Sequence, residues 1–224
     1  MPAHRSLRVA LRGAESGDDK SQTQEELPLL AFDTSAAHCA AALLLPDGRV
    51  IGRDEPMQKG QAERLVPMLE EVLAEAGIGW RDLRRIAVGV GPGNFTGVRI
   101  SVATARGLAL ALGIPALGVT RLEALAQGLP RPLRVIEDAR QGLVYAQDLP
   151  DGAARLLRRE DLPPFAGPVT GSAAGPDALP PALPVAESIA RIAARRSPGP
   201  APAPFYLKGA DAAPPSDPPP VILT

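Results

Sequence analysis

The residues IAVGVGPGNFTG (86–97) lead without interruption into VRISVATARGLALALG (98–113). The apolar and β-branched residues from Ile86 to Val90 predict a short buried strand, and the glycines that follow mark a tight loop. The second part keeps a helical period of apolar residues up to Gly113, which is a typical helix terminator. This stretch therefore predicts a strand, a turn and a helix in close succession.

The glycines of the loop allow a chemical and a geometric interpretation. Gly91 and Gly93 leave the backbone bare beside a helix N-terminus, which suits an anion, and Asn94 and Thr96 are polar neighbours. The spacing matches neither the Walker A loop, which has a lysine after its last glycine, nor GxGxxG. In the geometric alternative the glycines only shape the turn, and Asn94 or Thr96 caps the helix. Both interpretations stay open here.

The predicted helix carries a ridge of small residues, which recur at every fourth position: Gly97, Ser101, Ala105, Ala109 and Gly113. Val102 lies on a neighbouring stripe, while Arg99 and Arg106 share one face and carry charge. A low ridge lets another helix approach closely. We therefore expect the ridge to contact either a partner protein or the chain's own core.

At this point the residues resemble a known family. Four segments are similar to the signature and following segments of the TsaB (YeaZ) family: GPGNFTGVRIS (91–101), ATARGLAL (103–110), IPALGVTRLEALA (114–126) and EDARQGLVY (137–145). The resemblance covers about residues 27–145, and PFYLK (204–208) resembles the C-terminal element of the family. TsaB proteins are non-catalytic paralogues of TsaD. The resemblance thus implies a scaffold or dimerisation subunit of the complex that forms N6-threonylcarbamoyladenosine at position 37 of tRNAs reading codons that begin with A.

The resemblance also implies partners and an interface. We expect a heterodimer with a TsaD-like catalytic subunit, an associated TsaE-like ATPase, contact with tRNA only through the complex, and a homodimer when the protein is alone. The expected interface consists of nine residues: Gly97, Ser101, Ala105 and Ala109 of the ridge, their neighbours Arg99, Val102 and Arg106, and Leu65 and Leu69 of a preceding helix. No cofactor is expected on the chain itself, and ATP or Mg²⁺ would belong to the assembled complex.

The fold implied is α/β, an actin-like and sugar-kinase-like (ASKHA) architecture with two ribonuclease-H-like lobes. Three apolar strands are predicted within residues 28–55, followed by an amphipathic helix over 61–77 and then the strand and helix described above. We expect a disordered extension over 1–26, a first lobe with dimerisation helices over 27–114, a reduced second lobe over 115–208, and a Pro-rich tail over 209–224. The extension reflects either a misassigned start codon or a functional tail.

The first strand ends at Asp33-Thr34-Ser35, where an actin-like ATPase has the aspartate that faces its nucleotide. The carboxylate suits Mg²⁺ through water, but an Asp-Thr-Ser turn also makes its own backbone hydrogen bonds. In the second lobe, Asp138-Ala139-Arg140 lies where active actin-like ATPases have a glycine-rich turn whose backbone binds phosphate. Arg140 is expected either to fill the phosphate space or to pair with Asp138.

The amino-acid composition indicates a globular protein and argues against several classes of function. With 45% apolar residues the 224-residue chain can bury a real core, and a formal charge of -1 gives no reason to expect binding of nucleic acid by the free chain. Cys39 is the one cysteine, which excludes an internal disulfide. No run approaches a membrane span, and we expect a cytoplasmic protein.

Two other functions compete with the scaffold. The first is an independent small actin-like ATPase or kinase that uses Asp33 and the loop from Gly91 to Gly97. The second is a glycopeptidase-like hydrolase, which the sequence supports poorly because only His4 and His38 are present and no Gly-x-Ser-x-Gly elbow occurs. The chain by itself is therefore expected to be non-catalytic.

Overall fold

The computed structural model describes residues 27–207. The predicted extension over 1–26 and the predicted tail over 209–224 lie outside the described residues. Within them the chain forms two sheets, each with its own apolar core.

The first sheet has five strands in the order β3-β2-β1-β4-β5. Their bounds are β1 Leu29–Asp33, β2 His38–Leu44, β3 Val50–Pro56, β4 Arg85–Gly89 and β5 Ala116–Val119. The first three form the antiparallel meander expected from the sequence, while β4 and β5 add in parallel to β1. Because β1 and β4 are parallel neighbours, the chain leaves both at the same edge of the sheet.

Two helices cover one face of this sheet: α1, Gln61–Ala76, and α2, Phe95–Leu112. Each ends at a glycine in the left-handed conformation, Gly77 with φ 69° and Gly113 with φ 68°. At the start of α2 the Asn94 side chain accepts a hydrogen bond from the Gly97 amide at 2.9 Å. The prediction that Asn94 caps this helix is therefore confirmed.

The other face of the first sheet is covered by a helix that comes much later in the chain, α4, Val185–Ala193. The buried Arg85 of β4 binds the C-terminal end of α4. Its guanidinium donates hydrogen bonds to the carbonyl oxygens of Ala193 and Arg196 at 2.8 and 2.6 Å. A cation at a helix C-terminus suits the helix dipole and satisfies carbonyls that have no partner within the helix.

The second sheet has four strands in the order β8-β7-β6-β9. They are β6 Leu133–Asp138, β7 Leu143–Leu149, β8 Arg155–Arg158 and β9 Val169–Thr170. The short helix α3, Arg121–Ala126, joins the lobes, and its Leu122, Leu125 and Ala126 belong to the core of the second sheet.

Two mixed sheets with this order form the two-lobed α/β architecture predicted from the sequence, with a second lobe of short strands. The predicted boundary between residues 114 and 115 needs correction. The strand β5 follows it yet pairs with β4, and α4 also packs on the first sheet. A parallel strand after a crossover helix returns to the sheet it left, so the first lobe takes in both elements.

The expectation that no run approaches a membrane span is also corrected. Among residues 27–207 one helix, the 18-residue α2, is long and apolar enough to cross a membrane, judged by length and composition alone. In the fold it forms a layer on the first sheet, with Val98 and Ala105 fully buried in the core. A helix that packs on a sheet also needs apolar residues, and this packing accounts for the apolar composition of α2.

Candidate functional site: the cleft between the lobes

The predicted site residues lie at the carboxyl edge of β1 and β4. The turn Asp33-Thr34-Ser35 runs beside the glycine-rich loop, and two hydrogen bonds join them. The Asn94 amide donates to the Ser35 carbonyl oxygen at 2.7 Å, and the Thr34 hydroxyl donates to the Gly97 carbonyl oxygen at 2.6 Å. The structure therefore brings together the two predicted ligand segments.

The glycines allow this close approach. A Cβ at Gly93 would overlap the Ser35 carbonyl oxygen, and a Cβ at Gly97 would overlap that of Thr34. Gly91 has φ +90°, a conformation that favours glycine. The space beside the loop is thus filled by the chain's own backbone, which favours the geometric interpretation over the anion-binding one. Thr96 is exposed and Asn94 is the cap.

Asp33 is fully buried and lies in a cluster of charged groups. Its Oδ2 atom accepts a hydrogen bond from the Ser35 hydroxyl at 2.9 Å and lies 2.7 Å from His38 Nε2. On the other side of His38, Nδ1 lies 3.8 Å from Asp54 Oδ1. The imidazole, at the start of β2, therefore lies between carboxylates of the two strands that flank β2, β1 and β3.

Arg121 joins this cluster to the second lobe. Its Nη1 atom lies 3.6 Å from Asp33 Oδ2, and its Nε–H donates to Glu137 Oε2 on β6 at 2.7 Å. The other oxygen of Glu137 accepts a hydrogen bond from the Ser172 amide at 2.6 Å. The backbone of Arg121 is held as well, since its amide donates to the Gly91 carbonyl oxygen at 2.7 Å. One side chain thus spans the gap between the two sheets.

These contacts shift the acid–base behaviour of the cluster. Burial acts to raise the pKa of the Asp33 carboxyl, but the hydrogen bond from His38, the charges of His38 and Arg121 and the Ser35 hydrogen bond together lower it below its ordinary value. Burial acts to lower the pKa of Arg121, and the charges of Glu137 and Asp33 outweigh it and raise that pKa. Asp33 is therefore an anion, stabilised by its hydrogen bonds to His38 and Ser35 and by the charge of Arg121.

A cavity of about 450 Å³ opens beside the cluster. Its polar wall is formed by His38, Asp54 and Arg121, and its apolar wall by Leu125 and the segment 181–185. Within residues 27–207, no group of three or more His, Cys, Asp and Glu side chains is arranged to hold a metal ion.

The turn between β6 and β7 in the second lobe begins at Asp138 and contains Arg140, for which the sequence left two arrangements open. The Arg140 backbone amide donates to Asp138 Oδ1 at 3.1 Å, while the residue as a whole is exposed. Arg140 and Gln141 have φ of 65° and 54°, which turns the chain sharply between β6 and β7. Of the two alternatives predicted for Arg140, the structure shows the pairing with Asp138, made by the backbone amide of Arg140, and the guanidinium that reaches Asp33 in the cleft is that of Arg121.

The predicted partner interface is largely inside the protein. Six of its members are buried in the chain's own core: Gly97, Ser101, Val102, Ala105, Leu65 and Leu69. The Ser101 hydroxyl donates to the Gly89 carbonyl oxygen of β4 at 3.2 Å, which shows that the small-residue ridge faces the sheet. These six residues cannot contact a partner in this fold, and small side chains at the sheet let α2 pack closely against it.

Among residues 27–207, the outer side of α2 carries exposed side chains. Arg99 and Arg106 are exposed, Ala109 is half-buried, and the Leu110 side chain is 87% exposed. Arg106, Ala109 and Leu110 line a groove of about 530 Å³ together with Ile114, Pro202 and neighbouring residues. The interface prediction thus survives for three of its nine residues, Arg99, Arg106 and Ala109.

The C-terminal segment adds aromatic groups at the start of α2. The Phe205 amide donates to the Val90 carbonyl oxygen at 2.7 Å, which holds the segment against the end of β4. The Tyr206 ring lies 4.9 Å from that of Phe95, and the Arg99 guanidinium stacks over the Phe95 ring at 3.7 Å. This part of the chain therefore completes the outer surface of the first lobe.

Comparison with known proteins identifies the family. The family model of TsaD, tRNA N6-adenosine threonylcarbamoyltransferase, matches residues 55–160. A crystal structure of a Pseudomonas aeruginosa protein with similarity to peptidase YeaZ is 32% identical, with a TM-score of 0.68, over 80% of this chain and 99% of that one. A structure of YeaZ from the same organism is 34% identical, with a TM-score of 0.62, over 74% of this chain and 89% of that one. The chain belongs to the TsaB/YeaZ family.

Curated members of the TsaB/YeaZ family agree with this. The tRNA threonylcarbamoyladenosine biosynthesis protein TsaB of Escherichia coli is 40% identical over 122 residues, which are 52% of each protein. The protein of that name in Bacillus subtilis is 38% identical over 125 residues, or 53% of each. The chain therefore spans about half the length of the curated TsaB relatives it matches.

Sequence reasoning missed three residues of the cleft: His38, Arg121 and Glu137. His38 belongs to no recognisable motif. Arg121 looks like an ordinary first residue of a helix, since it follows the Thr120 cap. Their one detectable signal is position: His38 begins β2 and Arg121 follows β5 in the first sheet, and Glu137 lies near the end of β6 in the second.

Proposed function

We propose that this chain is a non-catalytic scaffold and dimerisation subunit in the formation of N6-threonylcarbamoyladenosine at position 37 of tRNAs that read codons beginning with A. It supports a TsaD-like catalytic subunit, with which it forms a heterodimer, and a TsaE-like ATPase acts on the same complex. Two observations support the proposal: the chain belongs to the TsaB/YeaZ family, and its TsaB relatives are named as tRNA threonylcarbamoyladenosine biosynthesis proteins. The complex works in the cytoplasm.

The observation that carries the non-catalytic role is the state of the cleft. The carboxylate at the end of β1 is surrounded by His38, Ser35 and Arg121 of the same chain. A carboxylate engaged in this way is a poor site for Mg²⁺ and nucleotide, since its Oδ2 atom is already contacted by three groups of the chain, one of them the charged guanidinium of Arg121. We therefore assign ATP and Mg²⁺ to the assembled complex and none to this chain alone.

The exposed side of α2 is the surface that we assign to the TsaD-like subunit. Leu110 presents an exposed apolar side chain one helical turn after Arg106, and both line the 530 Å³ groove. Apolar anchors with arginine neighbours are typical of the energetically important centre of an interface. Val66 of α1, 41% exposed, extends the apolar surface.

The test uses the purified chain with a TsaD-like protein. Leu110→Glu should weaken the heterodimer about tenfold or more in Kd, because burying a charge there removes an apolar anchor. Its melting temperature should stay at the wild-type value, since the side chain contacts solvent. Arg131→Glu is the matched control, because Arg131 is exposed on the second lobe and binds only carbonyl oxygens of its own loop.

Activity measurements separate the proposal from the independent enzyme. Formation of the modified nucleoside should need both proteins and should fall with Leu110→Glu in proportion to complex lost. The proposal is wrong if the pure chain turns over ATP and Asp33→Ala abolishes that turnover, or if Leu110→Glu binds its partner at wild-type strength.

A further inference from the structure

The cleft between the lobes holds two carboxylates that come from different sheets. Asp33 is fully buried at the end of β1, and Glu137 is 7% exposed on β6. Arg121 lies between them, with its Nη1 3.6 Å from Asp33 Oδ2 and its Nε 2.7 Å from Glu137 Oε2. The His38 imidazole also contacts Asp33, and its other nitrogen faces Asp54.

Without the guanidinium, this region would hold an excess of negative charge in a poorly solvated place. The two buried carboxylates, Asp33 and Glu137, would then be left with the His38 imidazole alone, and their mutual repulsion would be strong because the effective dielectric constant of a protein interior is low. A buried pair of carboxylates in that state attracts a cation from solution or takes up protons. Arg121 prevents both outcomes.

The fit of Arg121 to this place is electrostatic more than directional. Its Nη1 atom and the Asp33 Oδ1 atom are buried, and neither has a hydrogen-bond partner among the described residues. The guanidinium is fixed by its bond to Glu137 and by its backbone bond to Gly91, and it reaches Asp33 through charge. The site therefore suits a cation with N–H groups that can donate to Glu137 while its charge lies near Asp33, as a guanidinium does.

We propose that the cleft is a binding site for a guanidinium-class cation and that Arg121 is its built-in ligand. The guanidinium occupies the site from within the chain, excludes cations from solution and joins the two sheets through Asp33 and Glu137. Removal of the side chain leaves a site that accepts free guanidinium. This inference concerns the cleft alone and is independent of the docking surface on α2.

The test is chemical rescue of Arg121→Ala in the full chain. This variant should melt well below the wild type, and guanidinium chloride in the millimolar range, far below denaturing concentrations, should raise its melting temperature in a saturable way. Urea is the matched neutral molecule of similar shape, and sodium chloride matches the ionic strength; neither should rescue. Wild type and Arg131→Ala should show no rise with guanidinium.

A second variant checks the location. Arg121→Ala combined with Glu137→Gln should lose the guanidinium response, because the acceptor of the Nε bond is then neutral. If Arg121→Ala does not fold alone, its refolding yield with guanidinium, compared with urea, gives the same measurement. Equal rescue by urea and guanidinium, rescue that persists with Glu137→Gln, or a wild-type melting temperature for Arg121→Ala would overturn the inference.

Discussion

Replacing Gly97 by alanine should destabilise the protein, although alanine is the better helix former. Gly97 lies in the first turn of α2, where its carbonyl oxygen accepts the Thr34 hydroxyl at 2.6 Å. The added Cβ would overlap the carbonyl oxygen of Thr34, which belongs to backbone that cannot rotate away. The helix start or the end of β1 must therefore shift.

The size of the effect follows from opposing contributions. Alanine gains up to about 1 kcal/mol over glycine within a helix. An extra carbon forced into a packed site costs about 1–3 kcal/mol, and the weakened Thr34 hydrogen bond costs about 1 kcal/mol more. The free energy of unfolding should fall by about 1–3 kcal/mol, which lowers the melting temperature by about 2–12 °C for a chain of this size.

Thermal and urea unfolding of Gly97→Ala and Gly107→Ala provide the assay. Gly107 lies in the same helix and is exposed, and a Cβ there would meet nothing within 4 Å. Its replacement should therefore raise the free energy of unfolding by about 0.5–1 kcal/mol. If Gly97→Ala is as stable as Gly107→Ala, the close approach of loop and turn is not what the glycine at 97 provides.

Three further predictions follow from the same site. Asn94→Ser should be near neutral in melting temperature and in partner affinity because serine keeps a capping oxygen, whereas Asn94→Ala should lose about 1 kcal/mol in urea unfolding; loss of partner binding by the serine variant would point to a ligand at Asn94. Ser101→Leu should lower the melting temperature because the residue is fully buried against β4, and a wild-type melt with lost association would restore the interface interpretation. Because the pKa of folded Asp33 lies below its ordinary 3.8, its ion pairs stabilise fully above that pH and are lost as pH falls through the lower folded value. Asp33→Asn should remove that part of the acid dependence, and an unchanged profile of unfolding free energy against pH would contradict it.

Local signals in the sequence predicted much of the first lobe. Residues that act over a few positions, such as the Asn94 cap and the Gly113 terminator, need no knowledge of the rest of the chain. The period of the small-residue ridge was also correct, because it follows from helix geometry. What the ridge faces stayed open at the level of sequence, since a sheet and a partner helix both accept short side chains.

The charged cleft could not be predicted for a different reason. Arg121 meets Asp33 only because β1 and the start of α3 lie at one sheet edge, and Glu137 arrives from the other sheet. Nothing within a local window of sequence encodes that meeting. An arginine at a helix start and one in a turn, such as Arg140, look alike until the fold brings one of them into the cleft.

The position of α4 affects how the protein is made. The strands of the first lobe are translated by residue 119, but the helix that covers one of their faces is residues 185–193, and the whole second sheet is translated in between. On the ribosome, the apolar face that will receive Ile189 and Ala190 stays open for that interval. The nascent first lobe is therefore the stage most exposed to aggregation, and the pace of translation across the second lobe sets how long the exposure lasts.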